Sequence, residues 1–362
     1  MLGAIDADTH VLEHEGMWEN FDDGGKMYSH RPLLINLPED TSWGGRNAFW
    51  LIDGEMWPKS AGQRAYASHT PTTALFERER TDIAMGARQM SDIALRLRDM
   101  DARGVEVQVV YSTLFLRFGT TNPELEVAIT RAYNRYMGRA CAASGGRLRF
   151  VMVPPLRSLD RCIEEMNTAK AQGAVGVYLR ANEMEKRLSD PYFAPVYQEA
   201  SRLNLPICIH TGQARISVFF NVTDCSGAFN DLVESKLPER FPDLRFGFIE
   251  YGSMWVPETV HKLARHMKMR FRGPVGPASG KARYDTQLFK DYRLFVACMA
   301  DERLPYVLDY TGEDNVIIGS DYAHQDPAEE LDMVDSLRSR EDVPKEVIEK
   351  ILCENPRAFY PL

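Results

Sequence analysis

The chain has 362 residues, of which 44% are hydrophobic, so it is long enough to bury a large core. Its formal net charge of -9 argues against the basic surface that a nucleic-acid-binding protein needs. The N-terminal sequence lacks the layout of a secretion signal, no apolar run has the length of a membrane span, and the 6 cysteines form no C-x-x-C pair. We therefore expect a cytoplasmic protein with reduced thiols and no membrane or nucleic-acid partner.

Short apolar runs recur along the chain, and most are followed by a polar turn and a helical pattern. The runs predicted as strands are Ala4–Asp8, Val105–Ser112, Leu148–Pro154, Val175–Leu179, Pro206–His210, Arg245–Glu250, Leu294–Met299 and Val316–Ser320. Most lack strict alternation, which is typical of parallel strands covered on both faces.

Helical periodicity lies between these strands. The predicted helices are Pro123–Ser144, Leu159–Ala171, Pro191–Leu203, Asn230–Phe241, Pro257–Arg270 and Ala328–Leu337. Asn122 and Ser158 are predicted N-caps of the first two. About eight strand–helix units indicate a (β/α)8 TIM barrel. The alternative, an open doubly wound sheet, lacks a G-x-G-x-x-G after its first strand.

One segment interrupts the strand–helix alternation, because roughly ninety residues separate the first two strands, too many for a plain connection. It carries four of the 5 tryptophans, Trp18, Trp43, Trp50 and Trp57. Asp53-Gly54 between two apolar runs predicts a β-hairpin with a type I′ turn. We interpret residues 14–100 as an insertion, either a lid over the barrel mouth or a structural cap, within a single domain spanning residues 1–362.

Ionisable residues end three of the predicted strands. Asp8 and His10 are two apart on the first strand and so point to the same side, His210 ends the fifth strand, and Asp321 follows the eighth. Each alone is also explained as a hydrogen-bonded structural residue. Because the C-terminal ends of barrel strands converge, their joint occurrence predicts a site for one divalent metal ion. Two imidazoles and two carboxylates suit Zn²⁺, Mn²⁺ or Fe²⁺ better than Ca²⁺ or Mg²⁺.

Several stretches resemble a known family. IDADTHVLE, PICIHTG, IIGSDYAHQD and the final ENPRAFYPL are similar to the amidohydrolase superfamily, and most to its amidohydrolase-2 branch, which includes aminocarboxymuconate semialdehyde decarboxylase. The resemblance implies a barrel with one metal ion and a metal-activated water. It implies that Asp8, His10 and His210 are metal ligands, and that Asp321 both touches the metal and handles protons.

The sequence departs from the family pattern at two strand ends. Members often carry a histidine after the sixth strand, where this chain has Glu250, which would act as a base, serve as a further ligand or pair with an arginine. Binuclear relatives carry a carbamylated lysine after the fourth strand, where this chain has Arg180. Arg180 favours a single metal, and its guanidinium would either hold a substrate carboxylate or pair with an acidic neighbour.

Three further residues are candidates for substrate contact. His324 lies three residues beyond Asp321 and would bind substrate or orient Asp321. Tyr111 and Arg117 lie near the end of the second strand and would line the pocket.

We expect an enzyme that hydrolyses a C–N or C–O bond of a small carboxylated or aromatic molecule, with Asp321 and Glu250 as catalytic residues. Glu250 in place of a histidine favours hydrolysis. The main alternative is nonoxidative decarboxylation of an aromatic or unsaturated acid, and hydration of a double bond is a third. A non-catalytic barrel that binds metal or ligand is the alternative from another class. A homodimer is compatible with the resemblance.

Overall fold

The computed structural model describes residues 3–19, 21–36, 48–58, 82–212, 218–271, 286–324 and 328–362. Its strands, numbered in chain order, are β1 Ala4–Val11, β2 Leu33–Asn36, β3 Ala48–Ile52, β4 Glu55–Pro58, β5 Val105–Ser112, β6 Leu148–Met152, β7 Ala174–Arg180, β8 Asn182–Glu183, β9 Lys186–Arg187, β10 Ile207–His210, β11 Phe246–Ile249, β12 Leu294–Cys298 and β13 Val316–Ile318.

The described α-helices, in the same order, are α1 Met85–Arg88, α2 Ile93–Ala102, α3 Pro123–Ala142, α4 Leu159–Ala171, α5 Ala194–Arg202, α6 Val218–Glu234, α7 Leu237–Arg240, α8 Trp255–Phe271, α9 Thr286–Tyr292, α10 Leu304–Thr311, α11 Met333–Arg338, α12 Lys345–Glu349 and α13 Asn355–Phe359. Short 3-10 turns cover Glu15–Trp18, Phe21–Gly24, Tyr28–His30, Leu114–Leu116 and Pro191–Phe193, and a π-helical turn covers Lys350–Glu354.

The predicted barrel is confirmed. Eight parallel strands pair in the order β1-β5-β6-β7-β10-β11-β12-β13. The sheet closes on itself at the mouth, where the His10 amide donates to the Tyr322 carbonyl (2.8 Å) and the Asp321 amide to the Asp8 carbonyl (3.0 Å). Gly319 permits this approach, because a Cβ there would collide with the backbone and Cβ of Asp8.

The helices between the strands follow the predictions in part. The α4 bounds are as predicted, and the Asn122 side chain caps α3 by accepting from the amides of Glu124 (3.1 Å) and Leu125 (3.3 Å). Ser158 stands at the N-cap of α4, but its side chain makes no capping hydrogen bond.

Three predicted helices differ from the observed ones by one to three residues at an end, and two were wrong by more. The helix predicted for Asn230–Phe241 is two, α6 and α7, because Lys236 adopts a left-handed conformation (φ 56°) that interrupts the helical hydrogen bonds. The helix predicted to begin at Ala328 begins at Met333 instead. The Glu330 amide donates to the Ser320 carbonyl (2.9 Å), so that amide is not part of a helix.

The insertion contains an antiparallel sheet of β2, β3 and β4. The predicted hairpin turn is confirmed, since Asp53 (φ 53°) and Gly54 (φ 80°) both have the positive φ of a type I′ turn. The Trp57 ring packs edge-to-face on Phe118, 5.3 Å between centroids, in the loop that follows β5 at the barrel mouth. Trp43 lies outside the described residues, and the lid remains a prediction.

The barrel wall is almost entirely buried, and the cysteines belong to it or to the helices around it. All six are buried and none forms a disulfide bond, as expected for reduced thiols. Within the described ranges, no helix combines the length and the apolar character that crossing a membrane requires.

Candidate metal centre

Four strand ends bring a cluster of histidines and carboxylates together at the barrel mouth. Asp8 and His10 come from β1, and His210 ends β10. Glu250 is the first residue after β11, and Asp321 follows β13. Glu250 (φ 62°) and Asp321 (φ 51°) both have left-handed backbone conformations. Such conformations are uncommon outside glycine and concentrate at functional sites, where the surrounding fold enforces them.

The separations in this cluster fit metal ligands better than hydrogen bonds. His10 Nε2 lies 3.6 Å from Asp8 Oδ1, 3.4 Å from Glu250 Oε2 and 3.3 Å from Asp321 Oδ1. N–H···O hydrogen bonds fall mostly at 2.7–3.2 Å. Two ligands at roughly 2.1 Å from a shared metal, at the tetrahedral angle, are about 3.4 Å apart. The observed atoms are therefore spaced as ligands around a common centre.

Both histidines are oriented so that Nε2 faces this centre. His10 Nδ1 bonds the Ser112 carbonyl (3.1 Å), and His210 Nδ1 bonds the Thr211 carbonyl (3.0 Å). A carbonyl accepts only from an N–H, so each Nδ1 carries the proton and each neutral ring presents the Nε2 lone pair. Burial, helped by nearby His324 and His210, holds the pKa of His10 well below its usual range. A neutral imidazole is the form that binds a metal ion.

The surroundings of His10 Nε2 give more direct evidence that these residues fit a metal ion. This nitrogen is fully buried and makes no hydrogen bond to any residue that the structure describes. Buried polar atoms are nearly always hydrogen-bonded, and an exception calls for a specific explanation such as an ion. A divalent cation between the imidazoles and carboxylates would satisfy this nitrogen and balance the acidic charge.

The ligand groups in this cluster have room for one metal ion rather than two. The potential ligands form two overlapping groups, Asp8–His10–His210–Glu250 and His10–Glu250–Asp321–His324. Both groups include His10, whose Nδ1 already bonds the Ser112 carbonyl. Its remaining nitrogen has a single lone pair, so the two groups cannot be filled at once.

His324 is placed to orient Asp321. Its Nδ1 lies 2.7 Å from Asp321 Oδ1, and its Nε2 hydrogen-bonds Thr113 Oγ1 (2.8 Å). Its ring stacks on that of His10, with 3.8 Å between centroids and 20° between planes. Both nitrogens of His324 are thus engaged with protein groups, which favours a role in holding Asp321 in place.

Two buried arginines hold the backbone under the cluster. Arg96 in α2 donates to the His10 carbonyl (2.9 Å), Thr9 Oγ1 (2.9 Å) and Gln108 Oε1 (2.8 Å), and it stacks on the Tyr322 ring. Arg88 in α1 donates through Nε and a terminal nitrogen to the Ala323 carbonyl (3.1 and 2.7 Å), between Asp321 and His324. These side chains fix the two strand ends that carry three of the acidic and imidazole groups.

Hydrogen bonds between Asp6 and Ser320 join the first and last barrel strands beneath the cluster. The Ser320 amide and hydroxyl both donate to the Asp6 carboxylate (2.8 and 2.5 Å), and Gln108 donates to it from β5 (3.3 Å). Asp6 is on β1 and Ser320 follows β13, so this contact pins the two strands together just below the site.

The other predicted site residues lie around the cluster at different depths. Arg180 donates to both oxygens of Glu183 (2.9 and 2.6 Å) and to the Phe118 carbonyl (3.1 Å), which uses three of its five donors. Tyr111 is fully buried below the site, with its hydroxyl on that of Tyr360 (2.6 Å) and its ring 4.8 Å from that of His210. Arg117 is half-buried in the loop after β5.

Two residues that contact the cluster, Thr113 and Arg96, were not identified from the sequence. Thr113 directly follows the second predicted strand, and its position at a strand end was the available signal. Arg96 occupies the buried stripe of α2 with Ile93 and Met100, at helical spacing. An arginine on an otherwise apolar stripe is the pattern that indicates a buried charge with partners.

Comparison with known proteins identifies the relatives of this fold. A family model described as amidohydrolase matches residues 5–362. The 2-amino-3-carboxymuconate-6-semialdehyde decarboxylase of Dictyostelium discoideum is 21% identical over 277 residues, which is 70% of this chain and 73% of that protein.

Two solved structures cover nearly the whole chain. An amidohydrolase from Mycobacterium avium subsp. paratuberculosis K-10 superposes with a TM-score of 0.74 at 17% identity, over 99% of this chain and 97% of that one. A 5-carboxyvanillate decarboxylase from Novosphingobium aromaticivorans, a mutant with bound manganese and 3-methoxy-4-hydroxy-5-nitrobenzoic acid, gives 0.67 at 13%, over 100% and 97%. At these identities the likeness establishes the fold. With the family model matching almost every residue, the chain belongs to the amidohydrolase family.

Proposed function

We propose that the protein is a metal-dependent nonoxidative decarboxylase of an aromatic or unsaturated carboxylic acid. The named relatives support this alternative better than the hydrolysis expected first, because the curated relative and the manganese-bound neighbour are both decarboxylases. The observation that carries the proposal is the Asp321 carboxylate at the edge of the cluster, 3.3 Å from His10 Nε2 and 2.7 Å from His324 Nδ1.

Decarboxylation replaces a carboxylate by a hydrogen. The C–C bond breaks, its electrons stay on the substrate carbon, carbon dioxide leaves, and a proton takes the vacated position. The site must therefore stabilise negative charge that develops on the substrate and deliver one proton to carbon. A divalent metal ion, when bound, supplies a Lewis acid that stabilises charge on a substrate oxygen.

The chain's own residues divide this work. Asp8, His10 and His210 hold the metal, and the Ser112 and Thr211 carbonyls orient the two imidazoles. Asp321 carries the proton to and from the substrate, in the position set by His324 and Thr113. The aromatic rings of Trp57 and Phe118 offer an apolar surface beside the mouth.

A carboxylated substrate needs a second anchor, and we propose Arg117 or Arg180 for it, with Tyr111 and His324 as lining residues. Arg180 is the weaker of the two candidates because Glu183 already neutralises it across two hydrogen bonds. A substrate carboxylate there would have to share the guanidinium with Glu183.

Hydrolysis of a C–N or C–O bond is the second candidate, and one specific observation favours it. Glu250 stands after β11, where relatives often have a histidine, with Oε2 3.3 Å from His210 Nε2. A carboxylate there would serve as a general base toward water.

A direct test is to load the purified protein with Mn²⁺ and incubate it with hydroxybenzoate-type acids such as 5-carboxyvanillate, and with 2-amino-3-carboxymuconate-6-semialdehyde. Carbon dioxide release that depends on Mn²⁺ and is lost in Asp321→Ala is the expected result. Incorporation of ¹⁸O from labelled water into the product of an ester, lactone or amide substrate, without carbon dioxide, would establish hydrolysis instead. Addition of water to a double bond would establish a hydratase.

A further inference from the structure

On the basis of the proposed metal-dependent function, we infer that Glu250 is itself a ligand of the metal, beside Asp8, His10 and His210. Asp321 keeps its proposed role in moving protons at the edge of this ligand set. This assignment changes the role of the carboxylate after β11 from a replacement base to part of the metal centre.

Glu250 and Asp8 lie at similar distances from the Nε2 atoms of His10 and His210. Glu250 Oε2 lies 3.3 Å from His210 Nε2 and 3.4 Å from His10 Nε2. Asp8 Oδ1 lies 3.3 and 3.6 Å from the same two nitrogens. Each carboxylate thus spans both imidazoles at about the edge length of a tetrahedral metal site. Asp8 is proposed as a ligand because of its position on β1. Glu250 lies as close to both imidazoles as Asp8 does.

Asp321 belongs to a different grouping. The set of ligand atoms that includes both histidine nitrogens consists of Asp8, His10, His210 and Glu250. Asp321 falls in a second group with His10, Glu250 and His324, and its Oδ1 lies 2.7 Å from His324 Nδ1. Asp321 is therefore held by His324 at the edge of the ligand set, where the proposed function uses it to move a proton.

The fold also fixes Glu250 against the strand that carries His210. The next residue, Tyr251, is buried and donates its hydroxyl to the His210 carbonyl (3.0 Å). Beyond it, the Ser253 amide donates to Glu302 (2.7 Å), at the start of the loop after β12. The left-handed backbone of Glu250 is thus held between the pairing of Ile249 with His210 and these two contacts, which sets the position from which its carboxylate extends.

This ligand set has a consequence for the choice of metal. Two carboxylates and two neutral imidazoles balance the charge of a divalent ion, and half of the donors are hard oxygens. Such a set suits Mn²⁺ or Fe²⁺ as well as Zn²⁺, and it makes no use of the thiolates that favour zinc alone.

The test is Mn²⁺ affinity of the full chain, measured by the loss of the six-line electron paramagnetic resonance signal of free Mn²⁺. Glu250→Gln keeps the size of the side chain and removes the charge. We expect its dissociation constant to rise by more than about 100-fold, beyond the effect of losing an outer partner of a ligand. Asp8→Asn should behave alike, and Glu258→Gln, an exposed glutamate in α8, is the matched control that should leave affinity unchanged.

Glu250→Gln that binds Mn²⁺ as tightly as the wild type would overturn the inference and return Glu250 to the role of a base. If that variant fails to fold, crystals of the Mn²⁺-loaded wild type decide instead. Anomalous density about 2.2 Å from Glu250 Oε2 supports the inference, and a separation beyond about 3 Å overturns it. Neither measurement uses a substrate. A wild type that binds Mn²⁺ but releases no carbon dioxide would therefore refute the proposed reaction without touching the ligand assignment.

Discussion

The two sides of the candidate metal centre are built in different ways. The seam side, Asp8, His10 and Asp321, lies where β1 meets β13, and backbone hydrogen bonds join the two strands directly. The arc side, His210 and Glu250, lies on β10 and just after β11, where the ladder pairs His210 with Ile249 and the hydroxyl of Tyr251 adds one contact.

The seam side is also supported from below, by Arg96, Arg88 and the Asp6–Ser320 contact. A substitution can therefore damage the seam side through its backbone and buried charges, without changing a proposed ligand. On the arc side the proposed ligand side chains themselves are the sensitive points.

On the arc side, His210→Ala removes a metal-binding nitrogen while the backbone of β10 stays in place. We expect Mn²⁺ affinity to fall by more than about 100-fold and turnover to be lost with it. Equilibrium binding and activity at a fixed metal concentration check this. His261→Ala, an exposed histidine on α8, is the matched control. Full activity with metal bound in the His210 variant would refute the site.

On the seam side, Asp321→Ala removes the proposed proton carrier. Because general acid–base catalysis contributes about 10²–10⁴-fold, we expect kcat to fall by that amount while the variant stays folded. Steady-state kinetics and circular dichroism measure the two effects. Asp335→Ala, an exposed aspartate in α11, should leave kcat unchanged. A kcat within a few-fold of the wild type would assign the proton to another group.

Arg96→Met tests the buried support of the seam side. It removes hydrogen bonds to the His10 carbonyl, Thr9 and Gln108 and leaves these groups buried. Breaking a buried charged network by removing one partner costs about 3–5 kcal/mol, which we expect as the loss in the free energy of unfolding.

Chemical denaturation of the Arg96 variant measures that loss. Arg98→Met, on the exposed face of the same helix, should change the free energy of unfolding by less than about 0.5 kcal/mol. Equal stability of the two variants would show that Arg96 does not support the seam.

Gly319→Ala tests the close approach of the two strands. The added Cβ would collide with Asp8, so we expect Asp8 to shift and Mn²⁺ affinity to fall by about 10–100-fold, in the range of a displaced ligand partner. Gly227→Ala, in α6 with open space around the position, should leave affinity unchanged. Unchanged affinity in the Gly319 variant would mean that the seam adjusts without moving Asp8.

The barrel and its site were predictable to different degrees. Short apolar runs followed by helical patterns indicate the strands of the barrel, because parallel strands buried on both faces are mostly apolar. Asp8, His10, His210 and Asp321 were recognisable because each ends such a run, where a charged group needs a partner. The sequence showed that Glu250 lies at a strand end, but not which role it has. Spacing along one strand does not give its distance from His210 on another.

Side-chain contacts were easier to foresee between residues close in the chain than between distant ones. The pairing of Arg180 with Glu183, three residues away, was foreseeable as one of two outcomes. The contact of His324 with Thr113 joins residues 211 positions apart, and no local pattern encodes it. The break at Lys236 was missed because the helical period continues through it, and only the backbone conformation shows the interruption.

Elemental analysis of the wild-type protein, purified without added metal and again after reconstitution with Mn²⁺, shows whether the strand-end cluster binds a metal ion. One equivalent of a divalent metal per chain is the predicted result, because the two ligand groups share His10 and cannot be filled together. No bound metal even after reconstitution would contradict the metal centre, and two equivalents would contradict the single site.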